Sequence, residues 1–343
     1  MSTPQEPIGS GFTAASTAAD VIRGIDLASR TAIVTGGYSG LGRETVRAFL
    51  DAGARVIVPA RDIARASAAL ASLPKAEVWP MDLLEPASID AFAARFLAER
   101  EPLHILVNSA GIMAVPELTR DAQGHELQFA TNHLGHFRLT LQLWPALTKA
   151  AGARVISVSS MGHRYSPVVF EDVDFTARPY DPVLAYGQSK TANALFAVEL
   201  DRRGAAAGVR AFALHPGGIV ETGLARHVSL DAYKAFGAVD AAGRPIIDPA
   251  RGLKTPEQGA ATQVWCATSP RLDGLGGVYC ENCDISPLLP KESYEALGVD
   301  ALSEVGVLPH AVDPAAAARL WNLSEQLTGT RLPRGQRRPA AGK

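Results

Sequence analysis

The sequence predicts an α/β fold, a doubly wound parallel sheet with helices on both faces, on three observations. From residue 31 onward, short apolar runs alternate with longer amphipathic segments. The apolar runs are nearly continuous, as strands covered on both faces must be. A glycine-rich turn joins the first run to the first helical segment. Units of this spacing fold as right-handed βαβ crossovers in one sheet.

The predicted strands are 31–35, 54–60, 76–81, 104–108, 154–159 and 209–214, all rich in Val, Ile and Ala, and a short run near 277–280 makes about seven. Between them, "GLGRETVRAFLDAG" reads as a helix closed by Gly53, and "SIDAFAARFLAER" as one capped by Ser88 with Asp90 in its first turn. "HELQFATNHLGHFRLTLQLWPALTKA" reads as one long helix, and "SKTANALFAVELDRRG" as an amphipathic one. "DPAAAARLWNLSEQLT" (313–328) is a capped C-terminal helical extension expected to pack on the outside. Residues 222–256 break the rhythm with Gly223, Gly237, Gly243, Pro245, Pro249, Gly252 and Pro256, as a lid or binding loop does. No repeat or linker divides the chain, so one domain is expected over 1–330, with a flexible tail at 331–343.

Composition narrows the function. A chain of 343 residues, 47% hydrophobic, supplies ample core. A net charge of −2 gives no bias toward nucleic acid or an anionic membrane. No run of about 18 apolar residues is present to span a bilayer, and "MSTPQEPIGSGF" lacks the parts of a signal peptide. Three cysteines, Cys266, Cys280 and Cys283, suit a reducing compartment, so a cytoplasmic protein acting on a small molecule is expected. "CENC" at 280–283 has no second pair at metal-ligand spacing, and His133 and His136 have no carboxylate or thiol beside them. Buried thiols and packed imidazoles are the expectation, and "DVDF" (172–175) reads as a solvated loop; no metal site is expected.

The turn "TGGYSGLG" places Gly36, Tyr38, Ser39, Gly40, Leu41 and Gly42 between a strand and a helix. Glycines there let backbone N–H groups approach a pyrophosphate at a helix N-terminus, the mark of a Rossmann-type dinucleotide site. At the end of the second strand, where an NAD site holds a carboxylate for the ribose 2′-OH, stand Ala60 and Arg61. A guanidinium suits a 2′-phosphate, so NADP(H) is expected over NAD(H), with Arg43 assisting. Asp62 is the residue with which Arg61 would otherwise pair. In "AYGQSK", Tyr186 and Lys190 sit one helical turn apart, where an ammonium can lower the pKa of a phenol. The strand "RVISVSS" ends in Ser159 and Ser160, at the carboxyl edge of the sheet where ligands bind.

Together these pieces resemble the short-chain dehydrogenase/reductase family over residues 20–285. The likeness is carried by "TGGYSGLG", "MDL" (81–83), "NSAG" (108–111), "TNHLGHF" (131–137), "VSS" (158–160), "YGQSK" (186–190) and "HPGGIVET" (215–222). "NHLGHF", "HPG" and "ARLWNLSEQLTG" are most similar to the retinol-dehydrogenase-like branch. The resemblance implies that Tyr186 is the acid in reduction and the base in oxidation. Lys190 would lower its pKa and hold the nicotinamide ribose. Ser160 would bind the substrate oxygen, and Asn132 would anchor a water linking Lys190 to solvent. Asp82 and Leu83 would meet the adenine. Asn108, Ala110 and Gly111 would line the cofactor, with Pro216, Gly217, Ile219 and Thr222 at its nicotinamide end. It also implies a homodimer or homotetramer built on the helices that begin near 125 and 183.

Three features depart from the pattern. Ser109 stands where the family commonly has a second Asn. The long span from Ser160 to Tyr186, shared with the branch, brings Tyr165, Val168, Phe170 and Tyr180 near the site, with His163 and Tyr165 as substrate contacts. No N-terminal membrane anchor like that of many retinol dehydrogenases is expected. Leu224, Val228, Leu230, Tyr233 and Phe236 in the lid suggest an apolar, fairly bulky substrate. Two other readings are open. A sugar-nucleotide epimerase or dehydratase would need a nucleoside-diphosphate domain that no segment after residue 222 supplies. A non-catalytic cofactor-sensing protein would have no use for the four polar residues.

Overall fold

The computed structural model describes residues 3–332 except Glu221, His227, Lys291 and 293–303, so most of the expected tail at 331–343 lies outside the described residues. The strands are β1 (Thr31–Val34), β2 (Arg55–Ala60), β3 (Glu77–Pro80), β4 (Ile105–Asn108), β5 (Ala153–Val158), β6 (Val209–His215), β7 (Val278–Glu281) and β8 (Asp284–Ile285). They form one sheet in the order β3-β2-β1-β4-β5-β6-β7-β8, parallel as far as β7. The order reverses between β1 and β4, and that switch point opens the ligand crevice of a doubly wound sheet.

The eighth strand exceeds the expected number. It arises because Asn282 and Cys283 take φ of 52° and 60°, the left-handed pair of a type I′ hairpin turn, which folds β8 antiparallel onto β7. The "CENC" segment is therefore a hairpin, and its cysteines are buried and free.

The helices are α1 (Ala18–Ile22), α2 (Gly40–Asp51), α3 (Ile63–Ala69), α4 (Pro86–Ala98), α5 (Leu127–Phe129), α6 (Gly135–Gln142), α7 (Trp144–Lys149), α8 (Pro182–Gly204), α9 (Leu230–Ala235), α10 (Pro256–Thr268) and α11 (Pro314–Thr328). One face of the sheet buries Phe49, Val264 and Trp265 under α2 and α10; the other buries Phe96, Phe137 and Phe196 under α4, α6 and α8. Each such side chain contributes about 1.5–3 kcal/mol through burial.

Two helix expectations change. α4 begins at Pro86 behind Glu85, because proline presets the first-turn φ and needs no N–H acceptor there. Ser88 instead accepts a hydrogen bond from Asp82 N at 2.9 Å. The long helix from 125 is broken: a π-turn, Ala130–Leu134, interrupts it around Asn132, and it ends at Gln142 before Pro145 restarts it as α7.

Both chain ends fold onto the sheet from far away in sequence. The Gln5 side chain pairs with the backbone of Tyr279 in both directions, at 2.8 and 2.9 Å, as a neighbouring strand does. α11 is capped by Asp313 and lies along α8. Its Trp321 stacks on Phe196 at 6.0 Å and meets Phe137 edge-on at 5.0 Å, and Ser324 hydrogen-bonds His133 at 2.7 Å. The extension is thus part of the core. It lies over part of α8 and the π-turn.

Candidate active site

At the end of β1 the chain turns through Gly36 at φ 67°, where a Cβ would come within 3.0 Å of Ala110 Cα. The phosphate loop and the loop after β4 are thereby held in contact. Thr35 fastens them: its hydroxyl oxygen accepts from Ser109 N (2.9 Å) and Ala110 N (3.0 Å). Ser109 needs only its backbone for this, so the departure from a second Asn costs this contact nothing. Ser39 makes no side-chain cap on α2, which leaves the first-turn N–H groups of Gly40, Leu41 and Gly42 open to a phosphate. The loop fits a dinucleotide on both counts.

Thr222 lies against Gly40, and Ile219 and Leu41 meet at Gly259 of α10. Asn108 is buried under Thr140, with its side-chain oxygen unpartnered. Asp82 accepts from Leu84 N at 3.0 Å. At the tip of β2, Asp62 caps α3 by accepting from Arg65 N, and Arg61 is exposed and forms no ion pair among the described residues. Arg43 is engaged by Ser72 at 2.7 Å, and by Ala69 and Glu44.

The structure brings Ser160, Tyr186, Lys190 and Asn132 together beside this loop. Asp181 caps α8 by accepting from Val183 N and Leu184 N, with Pro182 at the first helical position. Tyr186 and Lys190 therefore lie within its first turns and face the tip of β5. Burial pushes the Tyr186 phenol up to about 12, and a hydrogen bond with Ser160 draws it partly back. Burial pulls the Lys190 ammonium down to about 8. The expected close action of Lys190 on the phenol is not what sets it: Nζ lies 5.6 Å from the ring centroid and donates to Val158 O at 3.0 Å. Asn132 is held by the π-turn, a feature common at functional sites. Its amide clamps Ile112 from both sides (2.9 and 3.0 Å) and donates to Ser189 at 2.9 Å. Its oxygen and Lys190 Nζ both lie beside Gly111.

Three residues of the site, Thr35, Gly162 and Lys254, went unread in the sequence, and His136 was read only as a packed imidazole. Thr35 and His136 form a chain from the β4 loop to the π-turn: Thr35 Oγ1 meets His136 Nε2 at 2.9 Å, and His136 Nδ1 meets Asn132 O at 2.9 Å. Burial holds His136 near 4, so it is neutral. Gly162 lies against the phenol, where a Cβ would be 2.7 Å from Tyr186 Cε1. Lys254 returns from the lid to cover Gly217. Thr35 and His136 were visible within quoted motifs; nothing local marked Gly162 or Lys254.

A family model described as short chain dehydrogenase matches residues 30–232. A probable oxidoreductase of Streptomyces lividans is 47% identical over 87% of this chain and 97% of its own length. The chain belongs to the short-chain dehydrogenase/reductase family.

Other members of the family are similar over most of this dehydrogenase/reductase. Human retinol dehydrogenase 12 is 35% identical over 90% of this chain and 89% of its own. A solved structure of an uncharacterised Mycobacterium paratuberculosis protein superposes with a TM-score of 0.68 at 35% identity, covering 93% of this chain and 99% of that one. The Pseudomonas aeruginosa RhlG/NADP active-site complex superposes at 0.55 with 26% identity, covering 71% and 91%. No helix among the described residues is long and apolar enough to cross a membrane.

Within this dehydrogenase/reductase, the long span after Ser160 does not all face the site. His163 was expected to meet substrate, but the 3₁₀ turn Met161–Arg164 directs it inward. It is fully buried, with Nδ1 2.8 Å from Ser160 O and Nε2 accepting from Leu308 N at 3.2 Å. Burial holds it near 3, so it steadies the backbone of Ser160 as a neutral ring. Val168 and Phe170 pack with α8 and α11 instead of the site, because α11 draws that part of the insert over itself. Tyr180 donates to Val115 O at 2.8 Å. In "DVDF", Asp172 accepts from Thr176, Ala177 and Arg178 N–H groups and Asp174 from Glu126 N, so both are turn-forming rather than solvated. Tyr165 keeps 38% of its surface exposed with its Cβ against Gly187.

Proposed function

We propose that this protein is an NADP(H)-dependent oxidoreductase interconverting a ketone or aldehyde and its alcohol on an apolar, fairly bulky small molecule. The observation that carries the reading is the convergence of Tyr186, Ser160 and Lys190 next to an open phosphate cradle. Gly40, Leu41 and Gly42 would hold the pyrophosphate, and Arg61 the 2′-phosphate. Support for NADP(H) comes from Arg61 standing free of Asp62, from the lack of a carboxylate at Ala60, and from the NADP named in the Pseudomonas neighbour. The exposed apolar side chains of the lid, Leu230 and Phe236, favour an apolar substrate.

The bound dinucleotide supplies the hydride in reduction and accepts it in oxidation. Ser160 hydrogen-bonds the substrate oxygen and orients it toward Tyr186. With a pKa near 12 the phenol is protonated at neutral pH, so it stands ready to give its proton to the developing alkoxide. Lys190, protonated below about 8, offsets the charge left on the phenolate and restores the proton through the water expected at Asn132. A homodimer or homotetramer built on the helices that begin near 125 and 183 is part of this reading. Three free buried thiols fit a reducing, cytoplasmic setting.

A panel of aldehydes, ketones and alcohols followed by NADPH absorbance tests the reading. Tyr186→Phe is expected to abolish turnover of whatever the wild type accepts; equal turnover overturns the mechanism.

A further inference from the structure

The chain from Thr35 through His136 to Asn132 joins the end of β1 to the π-turn, and its hydrogen bonds have one consistent assignment. His136 Nδ1 lies 2.9 Å from the Asn132 carbonyl oxygen, which can only accept, so Nδ1 carries a proton. The ring is buried and neutral, which leaves Nε2 bare. Thr35 Oγ1, 2.9 Å away, therefore donates to Nε2. That hydroxyl already accepts from Ser109 N and Ala110 N, so both lone pairs are used and its one proton remains for the ring. Val107 O is a more distant acceptor, at 3.3 Å.

We propose that His136 is a positioning residue for proton transfer, a ring of fixed tautomer that holds the Asn132 carbonyl of the π-turn against the end of β1. The inference rests on the carbonyl–alcohol reading above. A protonated ring would aim Nε2–H at an oxygen with no lone pair to spare. Burial holds the ring near 4, and the nearby charge of Lys190 also opposes a second proton. The ring thus keeps one orientation across neutral pH. A residue needed only for packing would not match both ring nitrogens to buried polar atoms.

The two ends of the ring serve the same spot. A π-turn departs from the α-helical ladder, and the imidazole gives Asn132 O a donor from a side chain. The Asn132 amide in turn clamps Ile112 and donates to Ser189. At the other end, Thr35 fixes Ser109 and Ala110, which lead into Gly111. A Cβ on Gly111 would lie 3.1 Å from Asn132 Oδ1 and 3.6 Å from Lys190 Nζ. His136 therefore sets the spacing between the β4 loop and the π-turn, the two walls beside Lys190. Misplacing a group there by about 1 Å can lower the rate on the order of 10²-fold.

Asparagine and glutamine separate the two ends. The Asn amide nitrogen stands where Nδ1 does and can still donate to Asn132 O. The Gln amide reaches the place of Nε2, where its oxygen accepts from Thr35 but Asn132 O loses its donor. His136→Asn is expected to keep kcat within about threefold, while His136→Gln and His136→Leu lower it about 10–100-fold, all with dinucleotide KM within about threefold. Equal kcat for the Asn and Gln variants, or a faster Gln variant, overturns the assignment. A rise in dinucleotide KM that accounts for the whole loss overturns it as well, since the ring would then support the cofactor loop alone. A second measurement needs no turnover. Amide hydrogen exchange over Ala130–Leu134 should quicken about tenfold or more in His136→Leu and stay near wild type in His136→Asn, with β5 and β6 unchanged in both. Unchanged exchange in His136→Leu overturns the hold on the π-turn. A wild type that turns over no carbonyl or alcohol overturns the oxidoreductase reading, and exchange then still tells whether the ring holds the turn.

Discussion

The two halves of the sheet solve different problems. In the first half the central strands β1 and β4 are apolar and buried, and the site at their tips is built from backbone N–H groups and glycine. From β5 to β7 the tips hold buried charge: Lys190, Lys254, Arg164 and Glu281. The covering there arrives from distant chain, with Gly306 and Leu308 hydrogen-bonded to Glu281 and His163, and α11 laid over α8. Cofactor binding can be built at little cost to stability, since open helix N–H groups are present in any helix. Proton transfer requires ionisable groups out of water, and those are stabilised only by a larger enclosing structure.

The largest break in that comparison is Lys190→Met. Activity is expected to fall by about 10³-fold or more, since acid–base groups contribute on the order of 10²–10⁴. Stability is expected to rise. The folded pKa of about 8 lies below the ordinary 10.5, so folding penalises the ammonium at all pH below about 8. That penalty is relieved as pH climbs from 8 toward 10.5, where the unfolded chain binds the extra proton. At about 1.36 kcal/mol per pKa unit the full penalty is roughly 3 kcal/mol. The lost bond to Val158 O is offset by Asn193, which donates to the same carbonyl at 3.1 Å. A gain of about 1–3 kcal/mol in chemical denaturation at pH 7 is expected, and a net loss contradicts the account. By the same titration, wild-type reduction should hold steady below pH 7 and halve near 8.

Trp321→Ala tests the covering. Truncating a fully buried tryptophan costs about 3–5 kcal/mol, and here it also unseats α11 from Phe137 and Phe196. Denaturant titration should show the loss, and light scattering should show association through the uncovered face of α8. A destabilised variant whose mass stays that of the wild type would mean that this face is not adhesive.

Two glycine substitutions separate the halves directly. Gly162→Ala places a methyl 2.7 Å from the Tyr186 ring and should lower kcat by about 10–100-fold with dinucleotide KM nearly unchanged. Gly36→Ala, at φ 67° and against Ala110, should raise dinucleotide KM instead. If both act on the same constant, the division proposed here is wrong.

The same division decides what was legible. Strands β1 to β6 and the glycine turn follow from local pattern, because burial on both faces and a sharp turn each demand particular residue types over a few positions. Tyr186 and Lys190 follow from motif spacing, Ser160 from its place at a strand tip, and Asn132 from the family resemblance alone. The inward turn of His163 was not, since it depends on Leu308 and Tyr279, which lie far along the chain. The β8 strand was hidden because Asn-Cys is an unusual type I′ pair. The π-turn at Asn132 was hidden because its sequence is helical by pattern. Lys254 looked like any loop lysine until the lid returned it to Gly217.

The smallest expected effect lies wholly in the cofactor half. Arg61 is exposed at the end of β2, with Asp62 turned away to cap α3. An exposed charge is screened, so the guanidinium's hold on a 2′-phosphate should amount to about tenfold in affinity and weaken with salt. Arg61→Ala should therefore weaken NADPH binding about tenfold and leave NADH binding within about twofold, read by fluorescence titration at two ionic strengths. Equal losses for both dinucleotides would remove Arg61 from the site and shift the preference to Arg43, whose guanidinium is already engaged by Ser72 and Glu44. Arg43 would then have to exchange those partners for the phosphate, and Ser72→Ala would strengthen NADPH binding rather than leave it unchanged.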